Sequence, residues 1–383
     1  MKKNFQKNKT LIKRILIAPN SFKECSDSIT VANIIYNRLK KKLNCTLIRK
    51  PISDGGDGFV EVCKLYYKGE EIIYNISTPY DDGPLECKVI YSKLTKTVYI
   101  ESANVLGLKV VPSYKRNPLL LSSKGLGELI IALANEKFEI KKVIIGIGGT
   151  ATIDMGLGAC SVFGLKLFDK SSKELRVIPS NFGKIKNIEW NWQKLPFSIS
   201  SILDVSNPLM GYKGATREFG PQKGADQSSI QTIENGFANI LNLLRYNSLT
   251  VIPKRLSGAG GGITTGLNIF LGADSISAEK YIMEELNLAE EIKMSDLVLT
   301  GEGAFDQQSF MGKGAGLILN KALQYEKKVI LICGYVDPKL KSKLSGKVNV
   351  FEVSALFDSH AESIIKFKAG LNKICDEIIK LIK

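Results

Sequence analysis

The stretch KKVIIGIGGTATIDMGLGACS, residues 141–161, decides the fold. Val143–Ile147 is a short run of branched apolar residues, too brief for a helix, and it ends abruptly in Gly146-Ile147-Gly148-Gly149-Thr150. The turn opens a helix carrying the small residues Gly156, Gly158 and Ala159. A buried strand, a glycine turn and a tightly packed helix make up the βα unit of a parallel sheet.

The same punctuation recurs along the chain. Ile15–Pro19 precedes Asn20-Ser21-Phe22-Lys23, and Leu297–Thr300 precedes Gly301-Glu302-Gly303-Ala304-Phe305-Asp306. Val329–Cys333 follows a helical stretch near Lys313–Tyr325. Phe351–Ala355 reads as the last strand, and Ala361–Lys383 as a closing helix. The middle differs: residues 70–112 read as hairpin-like β structure around Asp81-Asp82-Gly83-Pro84, and residues 170–200, with Trp190 and Trp192, are polar and irregular. The expected architecture is α/β with two domains. Residues 1–66 and 291–383 build a flavodoxin- or Rossmann-like parallel sheet from both chain ends; residues 67–290 form an inserted mixed α/β domain. An active site in the interdomain cleft is expected, since pockets favour domain interfaces.

Composition narrows the chemistry. The 383 residues are 44% hydrophobic and 24% charged, as in a protein with a real core. The net charge of +15 comes almost wholly from dispersed lysine, with 8 arginines among 53 basic residues. Base readout favours the planar fork of arginine, so this surface reads as solvated lysine and no nucleic-acid partner is expected. Seven cysteines without a CxxC, and a single histidine, exclude the usual zinc spacings and suit a reducing cytoplasm. No run approaches the roughly 18 apolar residues of a membrane span. Homo-oligomerisation stays open.

A histidine-dependent nucleophile would rest on His360 alone, which sits at a helix start with no glycine loop beside it. Proton transfer therefore falls to Asp, Glu or Lys. Walker A is absent, because none of the Gly-Lys pairs at 183, 312 and 346 is followed by Ser or Thr. Phosphates would have to be held by other glycine loops. Ser21 and Lys23 after the first strand suit an anion. Asp54-Gly55-Gly56-Asp57-Gly58 combines backbone freedom with two carboxylates able to hold Mg²⁺. Asp204 ends an apolar strand, in a good place for a base, with Asn207 and Pro208 and then Phe219-Gly220-Pro221-Gln222-Lys223-Gly224-Ala225 beyond it. Gly258–Gly262 and Thr300–Gln308 are further backbone-exposing loops, the latter carrying Glu302 and Asp306. Gly146, Gly148 and Ala151 also fit a GxGxxA dinucleotide pattern, with Asp169 as the ribose-binding acid that a nicotinamide oxidoreductase would need.

In order and wording these motifs resemble the type I glycerate kinase family: APNSFKECS (18–26), DGGDG (54–58), RNPLLLSSKGLGEL (116–129), GIGGTATID (146–154), DVSNPL (204–209), FGPQKGA (219–225), GAGGG (258–262) and TGEGAFDQQSFMGK (300–313). The resemblance spans nearly the whole chain. It implies ATP and Mg²⁺ as donor and cofactor, and D-glycerate as acceptor, with 2-phosphoglycerate the favoured product. It implies catalytic roles for Asp204, as base, and Lys23. Ser21, Gly148, Gly149, Thr150, Lys223, Gly301 and Gly303 would bind substrate or phosphate, Arg116 and Ser122 the acceptor carboxylate, and Asp54, Asp57, Glu302 and Asp306 the metal. Glu24, Ile153 and Ala304 stand where the family tends to have Gly, Asn and Arg. These departures keep a non-catalytic phospholigand-binding paralogue as the alternative.

Overall fold

The computed structural model describes residues 12–383 apart from 82, 192–193, 205–206, 248–249, 251 and 254. Trp192 and the Val205-Ser206 pair of the DVSNPL motif lie outside the described residues. In chain order the strands are β1 (Arg14–Ile17), β2 (Thr46–Arg49), β3 (Glu70–Ser77), β4 (Pro84–Ser92), β5 (Thr97–Glu101), β6 (Lys142–Ile147), β7 (Lys166–Phe168), β8 (Asn187–Glu189), β9 (Ser198–Leu203), β10 (Asp274–Ser277), β11 (Leu297–Phe305), β12 (Lys328–Val336) and β13 (Asn349–Glu352).

The chain forms two compact units. The first comprises the residues up to Asp54 and from Glu279 onward; the second is Gly55–Ala278. Each boundary falls twelve residues before the expected position, at 54 rather than 66 and at 279 rather than 291. The reason at the first lies in the helix Phe59–Tyr67, which packs on β4 and β5 of the second unit. Tyr67 stacks on Tyr99 with ring centroids 4.8 Å apart, and Phe59 meets the same ring edge-on at 6.3 Å.

In the first unit the strands run β2-β1-β11-β12-β13, all parallel. Renumbered within the unit this is the order 2-1-3-4-5, which resolves the flavodoxin-or-Rossmann expectation in favour of flavodoxin. Ile15, Ile17, Leu297, Leu299, Ile330 and Ile332 are buried and packed with Val31, Ile35 and Leu39 of the helix Ser28–Lys40 and with Leu371, Ile374 and Ile378 of the helix Phe367–Ile382. Three details depart from expectation, the first being the last strand, which is Asn349–Glu352 and not Phe351–Ala355 because Ser354–Leu356 turn as a short 3-10 helix. The Gly301–Phe305 stretch is strand, not loop, because β12 supplies parallel partners as far as Ala304↔Tyr335 and Phe305↔Val336. The closing helix is two, His360–Ile365 and Phe367–Ile382, meeting at Lys366.

The second unit holds a six-stranded mixed sheet in the order β3-β4-β5-β6-β9-β10. β5, β6, β9 and β10 are parallel, while β3 and β4 add an antiparallel edge. The hairpin expected over residues 70–112 is therefore β3–β4, with β5 paired antiparallel to β4. One apolar cluster packs Leu126, Leu129 and Leu133 of the helix Lys124–Ala134 with Val143, Ile145 and Ile147 of β6. A second gathers Ile233, Phe237 and Leu244 of the helix Gln227–Tyr246 with Ile153, Met155 and Phe182. No helix among the described residues is long and apolar enough to cross a membrane.

Candidate active site

In an open parallel sheet the loops leaving the carboxyl ends of the strands form the ligand side, most strongly where strand order reverses. In the first unit that reversal lies between β1 and β11. Asn20, Ser21 and Lys23 leave β1 there, and the second half of β11 carries Gly301, Glu302 and Gly303. The segments are laced together: Ala18 N donates to Leu299 O and Asn20 N to Gly301 O, each at 2.8 Å. A Cβ on Gly303 would stand 3.0 Å from Lys23 N. Ser21 and Lys23 do not open a helix. Residues 22–26 close a small β-bridge first, and the helix begins at Ser28 with its N-terminus already capped by Asp27, whose side chain accepts from Thr30 N. Whatever anion affinity they have comes from side chains and strand-end amides.

Glu302 is strongly perturbed. Burial pushes its carboxyl up to about 8, with the charges of Asp54 and Asp306 adding to the shift. Its Oε1 is buried without a hydrogen-bond partner. Asn20 Nδ2 donates to Asp54 Oδ2 at 3.3 Å. A side chain at Gly314 is precluded, since a Cβ would lie 2.4 Å from Glu302 Oε2 and 2.8 Å from Asn20 Nδ2. A buried carboxylate oxygen without a donor, close to a second carboxylate, suits a hard divalent cation, which takes one or two carboxylates and completes its shell with water and phosphate. Two of the four carboxylates expected for the metal are engaged by protein groups. Asp306 Oδ1 caps the turn Gln307–Phe310 by accepting from Gln308 N and Ser309 N. Asp57 belongs to the second unit, where it pairs with Lys109 at 3.2 Å. Among the described residues no three His, Cys, Asp or Glu side chains are placed to hold a metal.

In the second unit the glycine loops converge. A Cβ on Gly146 would meet Gly55 O at 2.6 Å, one on Gly148 the Cα of Gly56 at 2.7 Å, and one on Gly261 Thr152 O at 2.1 Å. Three motifs far apart in sequence thus share the carboxyl ends of β5, β6 and β9. Asp204 follows β9 directly and is half-buried. Gly148 N donates to Ser102 Oγ at 3.1 Å, which fixes the loop to the end of β5.

Three charged groups are buried beneath these loops. Lys223 donates to Thr150 Oγ1 and Thr152 O, both at 3.1 Å, and burial pushes its ammonium down to about 8 against the pull of Asp154. Asp154 accepts from Ser123 N and Oγ at 2.7 Å, from Gly156 N at 3.1 Å and from Gly158 N at 3.2 Å; burial still raises its pKa. Glu101, which the sequence reading passed over, ends β5 and accepts from Val60 N at 3.3 Å. It serves the N-terminus of the helix Phe59–Tyr67, whose own cap, Gly58, has no side chain. Burial lifts Glu101 to about 7, with Asp57 adding to the rise. An acidic residue closing TVYIE was the available signal.

The remaining expected residues are also placed. The Arg116 guanidinium donates to Val111 O at 3.1 Å and Leu108 O at 2.8 Å, so part of its fork braces backbone. Ser122 Oγ accepts from Lys124 N at 3.3 Å. His360 is exposed at the first position of its helix, with Ser359 as the cap.

The dinucleotide alternative loses its geometry. The helix after β6 is only Leu157–Ser161 and starts six residues past Ala151, so the GxGxxA turn opens no helix. Asp169 spends its carboxylate within its own turn, on Ser171 N at 2.8 Å and Lys173 N at 3.0 Å. The three departures from the family pattern separate as well. Ile153 is 1% exposed in an apolar cluster, so its side chain serves packing. Glu24 has φ 68°, a conformation that suits the glycine the family tends to have there. Ala304 is exposed on β11.

Glycine loops at the carboxyl ends of parallel strands, with carboxylates and a lysine buried beside them, suit an enzyme that handles phosphate groups by positioning and charge. The sequence pattern of the glycerate kinase family matches residues 15–383. A glycerate 2-kinase of Escherichia coli (strain K12) is 36% identical over 331 residues, covering 84% of this chain and 85% of its own. A glycerate kinase of Halalkalibacterium halodurans is 35% identical over 332 residues, again covering 84% and 85%. A crystallised chain from Salmonella typhimurium LT2, described as a candidate glycerate kinase 2, superposes with a TM-score of 0.75 at 27% identity, covering 96% of this chain and 98% of that one. The chain belongs to the glycerate kinase family, and so to the phosphotransferases with an alcohol group as acceptor.

Proposed function

We propose that this chain transfers the γ-phosphoryl group of ATP to a hydroxyl of D-glycerate, with 2-phosphoglycerate the favoured product, in the cytoplasm. The observation that carries this reading is the meeting of Gly55–Gly56, Gly146–Gly148 and the strand leading to Asp204 at one end of the second unit's sheet. Asp204 takes the proton of the acceptor hydroxyl as the new P–O bond forms. The loop Gly148-Gly149-Thr150 and the strand-end amides around Gly301 and Gly303 hold phosphate oxygens, with Ser21 and Lys23 supplying a hydroxyl and a cation. Arg116, through the part of its fork not spent on backbone, and Ser122 orient the acceptor carboxylate. Glu302 and Asp54 are the residues that would hold Mg²⁺, which when bound neutralises developing charge on the phosphates. Lys109 restrains Asp57, and Asp306 orders its turn.

The test is ADP release on mixing the purified chain with MgATP and D-glycerate, followed by NMR of the product. Glycerate-dependent ADP with a 2-phosphate resonance supports the reading. ATP binding without turnover would support the phospholigand-binding alternative.

A further inference from the structure

Lys223 is 5% exposed, Thr150 is 3% exposed, and the Lys223 Nζ–Thr150 Oγ1 bond is 3.1 Å long. An ammonium has three donors and no acceptor, so the direction of that bond is fixed: the Thr150 oxygen receives. A hydroxyl that is receiving still has one proton to give. Among the described residues that proton has no acceptor, although Thr150 is buried. Next to it the loop opens outward, since Gly149 is exposed and has φ 63°.

We propose that Lys223 acts through Thr150, holding its hydroxyl as a one-way donor to an anionic oxygen of the substrate seated at Gly148–Thr150. Lys223 is thus a positioning residue and does not itself touch the substrate; Thr150 does. The inference rests on the phosphotransfer reading of this loop. The oxygen could belong to an ATP phosphate or to the acceptor carboxylate, which share the same hydrogen-bond chemistry.

A consequence follows for pH. A neutral amine can accept a hydrogen bond. Once Lys223 loses its proton, the Thr150 hydroxyl can turn inward to Nζ and the substrate loses its donor. Asp154 is the charged group acting on Lys223, and it opposes that loss. The change falls near the value of about 8 to which burial brings the lysine.

The experiment measures KM for ATP and for glycerate separately, from about pH 6.5 to 9.5, in wild type and in T150V, T150S and K223R, with melting curves to establish folding. A hydrogen bond to a charged group commonly carries ~10-fold or more in affinity. In wild type, one of the two KM values should rise by that much above pH 8 while kcat changes less. T150V should start with that KM already raised and show no alkaline rise. T150S should restore the wild-type profile, and K223R should keep a low KM without the rise, since arginine does not titrate there. The KM that moves identifies the oxygen as phosphate or carboxylate. A folded T150V with the wild-type KM, or with the wild-type alkaline rise, overturns the inference. Absence of any turnover in wild type would instead remove the functional reading; calorimetric binding of ATP and of glycerate across the same pH series then reads the same donor, and pH-independent binding of both overturns it.

Discussion

Gly148 and Gly56 meet backbone to backbone: a Cβ on Gly148 would lie 2.7 Å from the Cα of Gly56. The contact joins two motifs 92 residues apart in sequence, and neither backbone can yield as a flexible side chain would. Gly148→Ala should therefore push the Gly55–Gly58 loop away from the end of β6. We expect a fall of at least ~10-fold in kcat/KM, from displacement of catalytic loops by a fraction of an ångström, and a lowered Tm. Steady-state kinetics and a melting curve check this; wild-type kinetics in the variant would show that the loops do not work together.

Glu101 gives a pH signature to stability. Its folded-state pKa of about 7 stands above the usual carboxylate value of 4.5. Between those values the folded chain binds more protons at this site than the unfolded chain, so stability from this group falls as pH rises from about 4.5 to 7. Glu101→Gln removes that slope. Chemical denaturation of the metal-free protein at several pH values should show a smaller loss of stability between about pH 4.5 and 7 in the variant than in wild type.

Glu302 and Asp306 separate a ligand-facing carboxylate from a structural one. Asp306 already caps a turn through Oδ1. Asn is as good a cap as Asp, so Asp306→Asn should leave activity within about threefold. Glu302 Oε1 has no protein partner, and Glu302→Gln should raise the Mg²⁺ concentration needed for half-maximal activity at least ~10-fold, in line with loss of a charged partner. A Mg²⁺ titration of both variants decides it, and equal effects would contradict the division of roles.

Glu24 at φ 68° carries strain that glycine would not. A non-glycine residue in the left-handed region costs roughly 1 kcal/mol. Glu24→Gly should raise Tm without altering kcat, by thermal melting and initial rates.

Much of the fold was legible because short Ile/Val runs ending in glycine loops leave few alternatives to a parallel sheet. What local sequence could not show was pairing. The Gly301–Phe305 stretch looks like loop, and only the length of β12 makes it strand. The same limit applies to the site. The glycine motifs, Asp204 and Lys223 stand out as residue types in unusual company. Glu101 does not: an acid after an apolar strand reads as a solvated end until the helix Phe59–Tyr67 is folded back upon it. Nor could spacing show that Asp306 would be spent on its own turn, or that Ile153 would point into the core.

The central claim is that Asp204, at the end of β9, is the base. Asp204→Asn keeps the shape of the side chain and removes its basicity. General-base help is typically worth about 10²–10⁴ in rate. The decisive measurement is kcat of Asp204→Asn for glycerate-dependent ADP release, beside His360→Ala as a control and with ATP affinity measured independently. The account predicts a kcat loss in that range for Asp204→Asn, with a folded protein, little change in ATP affinity and near wild-type activity in His360→Ala. A kcat for Asp204→Asn within about threefold of wild type, far below the range expected for a base, would contradict it.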